Sequence, residues 1–568
     1  MANGKNYVHS DNCATAPYNF VRVGERSNIE PKLDDTKSFS GTITCELTAL
    51  TPLLVAGATP KKDESSEDPQ KREFFKLNNG IAVIPGSSLK GMLRSYIEAL
   101  SQSVVCFVEP KQMFYRDVTA KVKPNSKDFF DYKNPFEFKK INNVWKVIPK
   151  GGYLIKEGDD WFIYPVKVTQ LKNEDEEDEE SIYRTGLINE HRARYHFDPC
   201  GIRKYRIKPE VINRFNNQLE NNEAQKAIWD ENFNKLKYQS KGHRVFYITA
   251  KGSNEDIIEI GVACFLRRHY QNTPKDLFFK IATANETNDF ALHLFGFTSD
   301  TRKYKGKVLI EPAYIKEKEE NIGKTEDFEC ILSSPHPSCL MHYIKQPNVT
   351  SAQVDEEDKE RILDYNTKAT PRGRKFYWHR EFIKEEIEKE VEHNDNPSIV
   401  SKLCPIKKGA TAKFTIHLDK VNETELGAII EALRMPQGHA FKLGSGKSCG
   451  LGSVEIRIEE SNIFENSVRY KSILDRVKGN THVLTDEEIN QAQKAFRDHA
   501  RLDKTKDFEQ QDAIIDLRAM TDFNKKPANK LTQNMALTTD ENYDLNFAKS
   551  RALLLDPKEV LEGNKFRR

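Results

Sequence analysis

In residues 41–54 (GTITCELTALTPLL) apolar side chains occupy every second position, Ile43, Cys45, Leu47 and Ala49, with polar residues between them. Period two marks a strand with one buried face. Residues 58–72 (ATPKKDESSEDPQKR) lose that periodicity and are punctuated by proline, which predicts a long exposed loop. Two short apolar pieces, 74–77 and 81–84, flank Asn78-Asn79-Gly80 and predict a hairpin. After Pro85-Gly86-Ser87-Ser88, the residues Met92, Leu93, Tyr96, Ile97 and Leu100 recur at helical spacing, with Ser87 or Ser88 placed to cap the helix.

A matching unit stands near the far end. Phe414, Ile416 and Leu418 alternate as a strand, Asn422-Glu423-Thr424-Glu425 is a capping box opening a helix through Met435, and Val454, Ile456 and Ile458 alternate again. Two such units predict one α+β sandwich of ferredoxin-like type, with its first half in 41–106 and its last half in 401–460. Residues 107–241 carry strands of their own and the acidic run 174–180, and are expected to be a large insertion. Alternation resumes in 245–250 and 257–266, so 242–345 is assigned to the continuing core. Residues 1–40 read as a leader and 461–568 as an α-helical C-terminal appendix. There Thr485-Asp486-Glu487-Glu488 is a second capping box, and Ile489, Ala492 and Phe496 share a helix face.

Composition narrows the function classes. In 568 residues, 88 Lys+Arg nearly balance 86 Asp+Glu, so no basic field covers the whole surface and any polyanion contact must be local. The chain is 31% charged and has no apolar run near the ~20 residues of a membrane span. The opening residues lack the basic start and apolar stretch of a signal peptide, which predicts a cytoplasmic protein. Nine cysteines, odd in number and without a C-x-x-C pair, predict reduced thiols.

Five segments carry candidate chemistry. Gly444-Ser-Gly-Lys-Ser448 invites a phosphate-loop reading, but the nucleotide-binding pattern needs a glycine where Phe441 stands. It reads instead as a flexible glycine ribbon, in which Gly444 and Gly446 let the backbone, with Lys442 and Lys447, approach a nucleic-acid backbone; a plain hairpin is the competing reading. Lys90 and Arg94 lie one helical turn apart behind the Pro-Gly-Ser-Ser turn, where both charges can meet a phosphate, or simply face solvent. Residues 366–380 (NTKATPRGRKFYWHR) hold five Lys/Arg, among them Arg372, Arg374 and Lys375, with no acid and with Phe376, Tyr377 and Trp378 interleaved. That composition suits a single-stranded nucleic-acid groove, unless the aromatics are core. Cys330, His336, Cys339 and His342 raise a zinc site, though their spacing matches no common finger. The acids Asp63, Glu64, Glu67 and Asp68 could bind a divalent ion or orient a ribose 2'-hydroxyl, or merely solubilise their loop.

LTALTPLLVAG at 47–57, IPGSSLKGMLRS at 84–95, Leu294-Phe295-Gly296 with Gly306-Lys-Val-Leu-Ile310, and LGSGKSCGLGSV at 443–454 together resemble the RAMP superfamily, the ferredoxin-like or RRM-like backbone subunits of type III CRISPR effector complexes. Ala16-Pro-Tyr-Asn-Phe20, Leu332-Ser-Ser-Pro335 and Arg372-Gly-Arg-Lys-Phe-Tyr-Trp378 resemble the insertion-bearing type III-D subgroup. The resemblance implies a subunit lying along guide RNA and target RNA with other effector subunits, touching phosphates through Ser87, Ser88, Lys90 and Arg94 and through the glycine-rich loop. It implies a thumb-like projection, with 346–400 as the thumb-like or RNA-facing segment, and target cleavage dependent on Mg²⁺ or Mn²⁺ from an aspartate in the loop after the first strand. Asp68 falls closest to that place and Asp63 second. A non-catalytic scaffold, and a stand-alone endoribonuclease that processes repeat RNA, a job that usually leans on a histidine near the N-terminus where here only His9 lies in a polar leader, are the alternatives.

Overall fold

The computed structural model describes residues 14–24, 37–58, 69–105, 108, 112–115, 136–141, 143–171, 182–185, 193–198, 202–220, 222–234, 242–250, 252–281, 289–298, 303–315, 326–346, 363–367, 369–392, 399–469, 471, 483–532 and 553–562. It is a mixed α/β protein of two compact units, Met1–Pro110 with Pro274–Val354 and Thr367–Arg568, and Lys111–Thr273 with Asp355–Asn366. Among the described residues no helix is long and apolar enough to cross a membrane.

The first unit is built on β1 (Phe39–Ala49), α1 (Gly86–Leu100), β2 (Val308–Ile310), β3 (Ala313–Ile315), β4 (Thr411–Val421), α2 (Glu423–Leu433) and β5 (Ser453–Glu465). β1 lies between β5 and β4, antiparallel to both, and β2 and β3 pair with the far edge of β4. Phe441–Lys442 and Val83–Ile84 close the two edges of the sheet. The alternation read in the sequence sets the register: Ile43 faces Ile416, Cys45 faces Phe414, and Leu47 lies between Ala412 and Ile456. These side chains are buried against α1 and α2, as period two requires of a sheet with one covered face.

α1 buries Leu89, Leu93, Tyr96, Ile97 and Leu100, each contributing ~1.5–3 kcal/mol. Its N-cap is Pro85 (φ −58°, ψ 139°), not Ser87 or Ser88: the ring fixes the extended cap backbone, so both serines fall inside the first turn and neither caps the helix. α2 does open on the predicted capping box, with the Asn422 side chain accepting from Glu425 N–H and the Glu425 carboxylate accepting from Asn422 N–H. Every residue from Thr424 to Leu433 is buried, because the sheet covers one side of α2 and the C-terminal helices α3 (Asp486–Ala500) and α4 (Asp512–Thr521) contribute to the same core. α3 opens on its own predicted capping box, Thr485 with Glu488. At Gly427 an added Cβ would stand 2.0 Å from the Ala492 carbonyl, so α2 and α3 meet backbone to backbone.

The end of the predicted polar loop is ordered differently. Gln70–Glu73 is a strand, parallel to Val400–Cys404, which in turn pairs with Phe328–Ile331. Residues 59–68, which include Asp63, Glu64, Glu67 and Asp68, lie outside the described residues.

The second unit has a five-stranded antiparallel sheet in the order Tyr205–Ile207, Asp160–Val166, Gly151–Glu157, His243–Thr249, Ile257–Gly261. Helix Pro209–Glu220 packs Val211, Ile212 and Phe215 against Leu154, Ile163, Val245 and Ile260 on one face. Tyr183, Tyr195 and Phe197 of a smaller sheet pack against Tyr153 and Phe246 on the other. His243–Thr249 and Ile257–Gly261 were expected in the continuing core. They belong here, because His243 to Phe246 pair with Gly151 to Leu154. The acidic run 174–180 lies outside the described residues.

Candidate nucleic-acid interface

The glycine-rich loop is held by backbone on both sides. Ser445 N–H donates to the Leu54 carbonyl (2.7 Å), Gly452 N–H to that of Pro52 (2.9 Å), and Leu53 and Ile406 exchange bonds of 3.1 and 2.9 Å. Gly444 (φ +83°) and Gly452 (φ +76°) are left-handed, and an added Cβ would lie 2.1 Å from Leu54 O and 2.0 Å from Leu443 O. The loop is therefore a fixed frame rather than the flexible ribbon expected from its glycines. Lys447 opens a 3₁₀ turn, Lys447–Cys449, and no α-helix follows the glycines as a nucleotide-binding loop requires.

Beside this frame stand both ends of the acidic segment. Gly57 N–H donates to Glu73 O (3.0 Å) and Phe75 N–H to Val55 O (2.8 Å), so residues 59–68 leave and return through one closed base next to Leu54. Val83 N–H donates to Phe75 O (3.1 Å), and α1 starts three residues later. The predicted hairpin at Asn78-Asn79-Gly80 forms, with Leu77 N–H donating to Ile81 O. Loop frame, acidic-segment base and first turn of α1 thus share one continuous strip of backbone.

Cations gather at the frame. The Lys442 ammonium donates to Leu451 O (2.9 Å); burial and then the nearby cations Lys447, Arg380 and Lys526 hold it well below the ordinary amine range. Burial lowers Lys447 as well, and Lys526 is lowered by burial and by Lys408. Arg380 is 1% exposed and donates to Ser448 O (3.1 Å) and Thr532 O (3.2 Å), with Glu390 3.5 Å away. His379 donates from Nε2 to Ala440 O (3.0 Å) and accepts at Nδ1 from Ser453 (2.9 Å); burial keeps it neutral. A fold that crowds like charges gives up stability unless an anion returns it, and a phosphate is such an anion. Lys526 was not among the candidates from sequence, and Arg380 entered only as one of the five Lys/Arg of 366–380, not as part of this loop. Lys526 arrives because Phe523 N–H donates to Gly438 O and Ala440 N–H to Thr521 O, pairings between distant segments that no local pattern announces.

The other candidates divide. Ser87 is exposed and Ser88 half-buried, and Lys90 is half-buried and lowered by burial and by Arg94, with no ion pair among the described residues. Arg94 is paired with Glu98 (2.8 Å) and donates to Gly296 O (3.4 Å). Residues 366–380 turn largely inward: Arg374–Tyr377 pairs with Tyr18–Val21, and Trp378 is 1% exposed. Arg372 donates to Leu554 O (2.5 Å) and Asp556 (2.6 Å), tying down the C-terminal segment, and Arg374 is buried. Lys375 stands 3.7 Å over the Tyr18 ring, with Tyr377 and Tyr343 also around it, and burial pushes it down to about 8. The aromatics here are mostly structural, the reading that composition alone could not separate from a groove. Residues 347–362 of the thumb-like segment lie outside the described residues.

Among the described residues Cys330, His336, Cys339 and His342 are not grouped as a metal site. Cys330 donates to the Cys449 thiol, and His342 Nδ1 accepts from the Tyr18 hydroxyl (3.1 Å). Burial, with Arg372 and Lys375 nearby, pushes His342 down to about 4. Its unfolded value is near 6.5, so its contribution to stability is complete above pH 6.5 and is lost as pH falls toward 4. The expected loss is on the order of 3 kcal/mol, read from urea unfolding at pH 7 and pH 4.5, and the His342→Gln variant should show that much less pH dependence.

Residues 46–455, most of the chain, match the family model described as RAMP superfamily. No curated protein matches the chain.

Proposed function

From the premise that the chain belongs to the RAMP superfamily, a CRISPR-associated family of RNA-binding subunits, we propose that it is a guide-RNA-binding backbone subunit of a type III effector complex, of the insertion-bearing III-D kind. The sheet order β5-β1-β4-β3 with α1 and α2 on one face supports an RRM-like core, since strand, helix, two strands, helix, strand in that order is the RRM plan. The observation that carries the reading is the rigid glycine-rich frame, with Lys442, Lys447 and Lys526 crowded on it and the base of the acidic segment bonded to its side. Guide phosphates satisfy the crowded cations, and sequence is read by pairing between guide and target, so the protein needs backbone contacts rather than base contacts.

Asp68, with Asp63 second, is the proposed catalytic carboxylate, carried by the acidic segment to the guide-target duplex. Its role is to hold Mg²⁺ or Mn²⁺ or to orient a target 2'-hydroxyl toward its own phosphate. The 346–400 segment is the proposed thumb-like element. The test uses the reconstituted effector complex with labelled, guide-complementary RNA and Mg²⁺ or Mn²⁺. Asp68→Ala is expected to remove one specific cut while guide binding is retained, with Asp63→Ala as the second variant. An unchanged cutting pattern in both variants would leave this subunit a scaffold for guide and target.

A further inference from the structure

We propose that the hairpin formed by Gly296–Thr298 and Lys303–Lys305 is a base-stacking platform for single-stranded RNA, an inference that rests on the RNA-binding reading above and adds a contact to bases. In its register Phe297 faces Tyr304, while Gly296 faces Lys305 and Thr298 faces Lys303. Alternation then puts the two rings on one side and the two lysines on the other. The rings of Phe297 and Tyr304 lie 6.0 Å apart and within 13° of parallel, with the His293 ring 4.7 Å from Tyr304 but tilted 50° to it.

This aromatic row is at the surface. Tyr304 is 36% exposed, Phe297 is half-buried, and Thr298, Lys303 and Lys305 are exposed. A two-stranded hairpin gains little from leaving rings in water, and these rings are too few for a protein partner, which needs roughly 800 Å² from each side. A nucleobase matches them: it is flat, its π-face fits a parallel ring row, and it comes attached to a phosphate. The charges complete that match. Lys303 has no ion pair among the described residues, and Lys305 has only the exposed carboxylate of Asp419 at 3.1 Å. Arg94 donates to Gly296 O at the base of the hairpin and lies 6.0 Å over Phe295, with Lys90 one turn earlier on α1. An RNA strand on the ring face stacks its bases on Tyr304 and Phe297, while Lys303 and Lys305 add positive charge from the opposite side of the hairpin.

The test compares two labelled single-stranded RNAs of equal length, one intact and one with a central run of abasic sites, so that phosphates are matched and bases are not. Binding to the full chain is followed by anisotropy. Tyr304→Ala is expected to weaken the intact RNA about 5- to 150-fold, the fold equivalent of ~1–3 kcal/mol of stacking, and to leave the abasic RNA unchanged. Tyr304→Phe should restore most of the loss. A loss that is equal for both RNAs, or no loss for either, overturns the platform. If the native chain binds neither RNA, the RNA-binding reading falls and the platform with it. If binding depends on Lys447 but Tyr304→Ala does not discriminate, only the platform falls. An unchanged Tm in Tyr304→Ala excludes unfolding as the cause.

Discussion

Replacing Glu431 by alanine is expected to lower the unfolding free energy by about 3–5 kcal/mol, the largest effect of any single substitution away from the apolar core. Glu431 is fully buried in α2, a place where a carboxylate survives only if it is paired. It accepts from Arg497 of α3 (2.7 Å), from Arg518 of α4 (2.8 Å) and from Gln493 (2.7 Å), and Arg518 also donates to the Tyr96 hydroxyl of α1 (2.7 Å). One carboxylate thus joins four helices. Its removal leaves Arg518, 13% exposed, with Glu509 (2.9 Å) as its remaining carboxylate partner, while Arg497 at 39% can turn to water. Urea unfolding of the full chain measures the effect. Glu431→Gln, which keeps an acceptor but not the charge, should fall between the native chain and the alanine variant. A loss below ~1 kcal/mol would mean that the arginines relax into solvent and the node is only a surface network.

Lys447→Glu is expected to weaken guide RNA binding about 10- to 100-fold at low salt, since a charge-assisted bond to phosphate is worth ~1.5–3 kcal/mol. The slope of log affinity against log salt should become shallower by about 0.7, one phosphate contact fewer on a single strand. Stability should hold or rise, because the substitution removes one of the cations that lower Lys442. That opposition of signs distinguishes a binding residue from a structural one. Loss of both affinity and Tm would show that Lys447 only supports the loop.

The sequence showed elements better than partners. The alternation from Ile43 to Ala49 and the capping boxes at Asn422 and Thr485 are local, and each is realised, though the strand ends at Ala49 rather than Leu54. Partners are not local. Period two says that 243–249 is a strand with a buried face, but not that its neighbour is 151–157 rather than the main sheet. α2 carries three acids, Glu423, Glu425 and Glu431. Two of them are buried and paired, Glu425 with Lys307 (2.7 Å) and Glu431 with two arginines from the C-terminal region. In 366–380 basic and aromatic residues look like a groove, and pairing with Tyr18–Val21 turns Arg374 and Trp378 inward. The glycine-rich loop was legible as a site, yet its cluster of cations was only half so, because Arg380 and Lys526 reach it through tertiary contacts.

The strand order has a consequence for how the chain is made. β1 is finished at Ala49, but its neighbours β4 and β5 begin only at Thr411 and Ser453. At ~5–20 residues per second a ribosome needs about 20–70 s to supply the first of them. Throughout that interval β1, with its buried apolar face, has both edges open, which is the situation that seeds intermolecular pairing. The five-stranded sheet of the second unit, whose strands lie between residues 151 and 261, can close while the main sheet still waits. Synthesis therefore presents a folded middle before a folded whole, and yield should depend on what shelters β1 in the meantime.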